Sequence, residues 1–109
     1  MADQTFILRV LFVKTGEVWA AQCIDYDIAA QGNSVREAKR AFEKAIIGQI
    51  LFDIRRERPP LSDFKPAPAA YRAKFDEAER LADTAPLKLP EGTPPAFMVN
   101  HISKDLRIW

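Results

Sequence analysis

Three observations place this chain in the α+β class. It opens on an apolar run of strand-forming residues, a capped helix follows a glycine turn, and prolines punctuate the second half. The expected architecture is an antiparallel β-meander with one long helix packed on it, then a C-terminal helix and a strand-like tail. A length of 109 residues suits a single domain with one modest core. Residues 1–58 read as the β-β-β-α core and 59–109 as an extension packed on the same domain.

In residues 6–13 (FILRVLFV), Phe6, Leu8, Val10 and Phe12 share one face while Ile7, Arg9, Leu11 and Val13 share the other. A strand apolar on both sides is central, and something must cover its second face. Lys14-Thr15-Gly16 turns the chain, residues 17–23 pair back as a hairpin, and 28–31 form a short third strand. Gly32 and Asn33 then lead into Ser34, with Glu37 three residues on. This spacing predicts a capping box, Ser34 accepting from the Glu37 N–H and the Glu37 carboxylate reaching back.

The helix from Val35 starts amphipathic, with Val35, Ala38, Ala41, Phe42 and Ala45 as its apolar stripe. From Ile46 to Ile54 it is apolar nearly all round and needs cover on more than one side. Gly48, which costs about 1 kcal/mol against Ala in a helix, is expected where another element approaches closely. Arg55, Arg56 and Arg58 suit a helix C-terminus, and Pro59-Pro60 ends the helix. Residues 69–82 read as a second helix with Tyr71, Phe75, Ala78 and Leu81 or Ala82 on its apolar side. The tail reads as strands over 96–102 and 106–109 around a turn at Ser103-Lys104-Asp105.

Composition excludes several classes. A formal net charge of +1 is no polyanion-binding excess. One Cys and one His cannot build a disulfide framework or a structural zinc site. With no apolar run long enough to span a bilayer and no signal-peptide pattern at the start, a cytoplasmic protein without membrane contact is the expectation.

The stretch VWAAQCIDYDIAAQGNSVREAKRAFEKAI resembles the HicB-like antitoxin family. The resemblance lies in Val18-Trp19-Ala20-Ala21-Gln22 on the second strand, the Gly32-Asn33-Ser34 turn, and Glu37-Ala38 opening the helix; it covers roughly the first half. It implies a partially degenerate ribonuclease-H-like sheet with one helix packed on it, and a protein that neutralises a small RNA-cleaving toxin of the HicA type by occlusion. Many members also carry a C-terminal helix-turn-helix or ribbon-helix-helix module. Here that region has no paired short helices around a glycine turn, which leaves DNA binding doubtful. The alternative is an orphan HicB-like homo-oligomer, regulatory or structural, without a toxin partner.

Candidate chemical groups have plainer roles. Asp25 and Asp27 flank Tyr26 and could ligate a metal, but loop aspartates commonly bond their own turns. A metal-dependent nuclease needs converging carboxylates, and residues 6–13 contain none. Cys23 with His101 could be drawn as nucleophile and base, although a small buried Cys in a strand is the favoured reading. No catalytic, cofactor or metal residues are therefore assigned, and the expected protein is not an enzyme. Self-association is expected instead, as a homodimer or higher oligomer, through Ile47, Leu51 and Ile54 on the helix and Phe97, Val99 and Trp109 in the tail. In the competing arrangement, the second helix covers the same helical patch through Tyr71, Phe75 and Leu81.

Overall fold

The computed structural model describes residues 4–82, 86–90 and 99–109. Its elements are β1 (Gln4–Thr15), β2 (Val18–Cys23), β3 (Ala29–Gly32), α1 (Val35–Arg55), α2 (Ala69–Glu77), β4 (Glu79–Arg80) and β5 (Val99–Ile108). The strands form one five-stranded sheet in the order β3-β2-β1-β5-β4. The protein is α+β, with a mixed sheet and one long helix. No helix among the described residues is long and apolar enough to cross a membrane.

β1 lies at the centre, where a strand apolar on both faces belongs. Toward α1 it presents Leu8, Val10 and Phe12, which pack with Ala21, Cys23, Phe42, Ile46 and Ile50. On the far side Leu11 packs with Ile24 and Phe75, flanked by Val13, Tyr71 and Ala78. α2 therefore covers the second face of the sheet and does not lie over the α1 patch. That corrects the competing arrangement for Tyr71 and Phe75. Leu61 and, partly buried, Phe64, Leu81, Leu87 and Leu89 of the connectors join the core cluster that holds Ile46, Ile50 and Ile54 of α1.

The tail departs most from expectation. β5 runs parallel to β1, with Phe6 opposite Ile102 and Phe12 opposite Ile108, so the sheet is not a purely antiparallel meander. Ser103-Lys104-Asp105 is no turn but the middle of one continuous strand. The alternation explains it: Ile102 and Leu106 are buried toward α1, and Lys104 stands between them on that side. Its side chain is 4% exposed, with Nζ 2.9 Å from Glu43 Oε2 on α1. A lysine read as turn polarity is thus a stem lying on the core with its charge matched across the layer. In the sheet order β5 lies between β1 and β4, with β1 pairing along most of its length and the two-residue β4 pairing with Ile108 and Arg107 alone.

α2 stops at Glu77, short of the expected 82, because the following residues join the sheet edge. Arg107 Nη1 donates to the Phe75 carbonyl at 3.0 Å and its guanidinium lies 4.3 Å from the Phe75 ring centroid. Glu79 and Arg80 then pair with Ile108 and Arg107.

Ser34 is the N-cap of α1, its Oγ accepting from the Glu37 N–H at 3.1 Å. Among the described residues the return bond from the Glu37 carboxylate is not made; Glu37 is exposed, so the expected box is half built. Ser34→Ala should cost about 1 kcal/mol in chemical denaturation. The Ser34→Ala/Glu37→Ala cycle should couple by less than about 0.3 kcal/mol, the range of independent sites.

The other end of α1 closes as a Schellman motif. Glu57 N–H donates to the Ile54 carbonyl and Arg58 N–H to the Asp53 carbonyl, with Glu57 left-handed at φ 57°. Glycine is the residue that accepts this conformation without steric cost. Glu57→Gly should raise the urea midpoint, adding roughly 0.5–1 kcal/mol at unchanged m-value.

Candidate functional site

The loop after β2 holds the most chemistry-bearing side chains, and each is bound into the framework. Asp25 accepts from the Arg9 N–H at 3.1 Å and from Arg9 Nη1 at 2.9 Å. Asp27 accepts from Gln22 Nε2 at 2.9 Å, while its own N–H donates to the Lys65 carbonyl. The Ala67 N–H reaches the Ile24 carbonyl, so the proline-rich connector is laced to this loop. Both aspartates serve as turn and strand anchors. No group of three or more His, Cys, Asp or Glu among the described residues is placed to hold a metal ion.

Cys23 lies fully buried in the core under α1. Burial pushes its thiol from the ordinary 9.0 up to about 11, the opposite of an activated nucleophile. Because the folded chain resists forming the thiolate, its contribution to stability is complete below pH 9. It is lost as pH climbs from there toward 11. The stability gap between wild type and Cys23→Ala should therefore narrow by roughly 2 kcal/mol across that window in urea titrations. Iodoacetamide at pH 8 should label Cys23 only after denaturation.

What remains open is a face of α1. The residues turned inward, Ala38, Phe42, Ile46, Ile50 and Ile54, follow a strict i+4 ridge. Ile54 belongs to that ridge and is 2% exposed, so it lies in the core and not on the outer face where the sequence places it. Ile47 and Leu51 are half-buried at the margin. The outer face runs through Arg40, Lys44, Gly48, Phe52 and Arg56, all exposed. A Cβ built on Gly48 meets nothing within 4 Å, so the close approach expected there is not made by the described residues of this chain. Phe52 is 49% exposed, with the Arg56 guanidinium 4.7 Å from its ring centroid.

Phe52 is the residue that sequence reasoning missed. The i+4 ridge was the available signal, since a stripe at that spacing drifts around the helix and leaves position 52 outside. Of the tail residues, Phe97 lies outside the described residues. Val99 begins β5, its backbone paired with Gln4. Trp109 is half exposed, with the Lys74 ammonium 5.8 Å from its ring centroid and its own N–H on the Phe12 carbonyl. The structure thus brings Ile47 and Leu51 together and sets Trp109 apart, at the end of β5.

Toward its start, the open face of α1 borders the edge strand β3. Gln31, Gly32, Glu37, Arg40, Ala41 and Lys44 line a shallow groove of about 310 Å³ there. Gly32 is what lets the layers meet: a Cβ at that position would lie 2.5 Å from the Ala38 nitrogen and 2.7 Å from the Glu37 carbonyl carbon. Compared with protein-family models, with curated proteins and with solved structures, the chain finds no match in any of the three.

Proposed function

We propose that this chain is a HicB-like antitoxin, or a binding protein derived from one, which neutralises a small partner protein by occlusion. The observation that carries this reading is the outer face of α1. Among the described residues nothing lies within 4 Å of a Cβ built on Gly48, which leaves room for another backbone, and Phe52 stands exposed one turn on as an aromatic anchor. Support comes also from the Gly32-Asn33-Ser34 junction, where the glycine seats the helix and the serine caps it. The finer fold, a partially degenerate ribonuclease-H-like sheet, belongs to the same proposal. A three-strand meander running into a single long helix on one face agrees with it. The groups that could do chemistry, Cys23, Asp25 and Asp27, are held in structural bonds or buried.

Co-expression with the short reading frames beside this gene tests the proposal. One of them should arrest growth alone and be relieved by this chain, with relief lost in Phe52→Asp. If no neighbouring product is toxic or retained on the purified chain, the antitoxin reading falls. The second reading, an orphan homo-oligomer, uses the same bare face against its own copy. It is favoured if light scattering shows a dimer that Gly48→Glu dissociates.

A further inference from the structure

β3 ends the sheet, and among the described residues no strand lies beside its outer backbone. In an antiparallel pair, residues alternate between bonding the partner strand and turning their N–H and C=O groups away. The Cys23 N–H donates to the Ile28 carbonyl at 2.9 Å, which sets the phase. With Ala21 opposite Ala30 and Trp19 opposite Gly32, Ala30 and Gly32 are the residues bonded to β2. Ala29 and Gln31 therefore turn their peptide groups outward, and both are exposed. Sheet edges are usually blunted by charge, proline or a bulge. The segment Ala29-Ala30-Gln31-Gly32 has no charge and no proline, and its register with β2 is unbroken.

Beside this edge lies the groove, with two cations, Arg40 and Lys44, and one acid, Glu37. Neither cation has an ion-pair partner among the described residues. Four residues apart on a helix, they repeat at a rise of about 6 Å. Alternate side chains of an extended strand repeat at about 6.6 Å. A strand added to β3 can thus point two successive same-side carboxylates at Arg40 and Lys44.

We infer that the β3 edge and this groove form a strand-addition site for an extended acidic segment of a partner protein. The inference rests on the reading of this chain as a binding protein and names the partner's chemistry. Phosphates of a nucleic acid would leave the outward carbonyls of Ala29 and Gln31 unused and would meet Glu37. A second copy of this chain would bring two positively charged grooves together. An acidic strand satisfies both the backbone and the charge.

Fluorescence anisotropy can test this with labelled peptides of roughly ten residues, about two strands' worth of reach. A peptide alternating Val and Glu should bind the full chain at least about tenfold more tightly than one alternating Val and Lys. Methylating alternate peptide nitrogens on the Val-Glu probe should abolish binding. The double variant Arg40→Glu/Lys44→Glu should reverse the preference, and Ala29→Pro should weaken binding while circular dichroism stays native. Equal binding of the two peptides, or indifference to N-methylation, overturns the inference. Tighter binding of an oligothymidylate assigns the groove to nucleic acid. A dimer that Ala29→Pro dissociates assigns the edge to a second copy, and either result also overturns the inference. Because the probes are synthetic, their failure with toxin relief intact removes strand addition alone.

Discussion

Gly32→Ala should destabilise the domain by roughly 3 kcal/mol, the upper range for forcing a methyl group into a packed site. The added carbon would lie 2.5 Å from the Ala38 nitrogen and 2.7 Å from both the carbonyl carbon and Cβ of Glu37. Most of these atoms are backbone at the first turn of α1, so no rotamer change can make room. Either β3 or the start of the helix must move, and the Ser34 cap and the Phe42 packing move with it. For a domain of this size the thermal midpoint should fall by roughly 10–20 °C. The other described glycines are the controls. Gly16 is left-handed, at φ 62°, with nothing nearby, so its alanine variant should cost about 1 kcal/mol. Gly48 is helical and open, so Gly48→Ala should stabilise by up to about 1 kcal/mol. A calorimetric series in which Gly32→Ala costs no more than Gly16→Ala would refute the close approach.

Asp53→Ala should be nearly as damaging, at about 2–4 kcal/mol, because it strips the buried Leu61 N–H of its carboxylate acceptor. Asp53 is 3% exposed. One carboxylate oxygen accepts from the Leu61 N–H at 2.8 Å and the other from Gln49 Nε2 at 3.1 Å. Leu61 is left-handed, at φ 63°, with its side chain 1% exposed in the main core. The hydrogen bond therefore holds a leucine in a backbone state it disfavours, and that state is what aims the side chain at α1. Asp53→Asn keeps an acceptor for Leu61, and Gln49 can rotate its amide to match, so that variant should cost only about 1 kcal/mol. Equal losses for Ala and Asn in urea denaturation would show that charge, and not the Leu61 hydrogen bond, carries the effect.

The parts of this fold legible in the sequence are those decided by neighbours along the chain. The N-cap at Ser34, the central place of β1 and the end of α1 before Pro59 follow from local sterics and apolar pattern. The parallel pairing of β5 was not legible, since it depends on contacts between opposite ends of the chain. Lys104 misled for a related reason: only the position of Glu43 across the layer shows that a lysine inside a strand is matched. Ile54 changed faces because the buried ridge holds an i+4 spacing while a helical turn is 3.6 residues. The groove was hidden for a third reason. It lies between the first half of α1 and β3, and that β3 ends the sheet is a matter of strand order, which the local sequence does not state.

The place of β5 also bears on how quickly the protein matures. Because Phe6 pairs with Ile102, the middle of the sheet closes only after a loop on the order of a hundred residues has been drawn in. Such distant pairing places the chain toward the slow end of single-domain folding rates. During synthesis at roughly 5–20 residues per second, β1, β2, β3 and α1 emerge several seconds before their last strand. Throughout that interval one flank of β1 is unpaired, and Leu11 lacks its cover from Phe75 until α2 arrives. A chain whose translation stalls between the end of α1 and the start of β5 therefore exposes an unpaired strand flank and uncovered apolar surface, the features that promote aggregation.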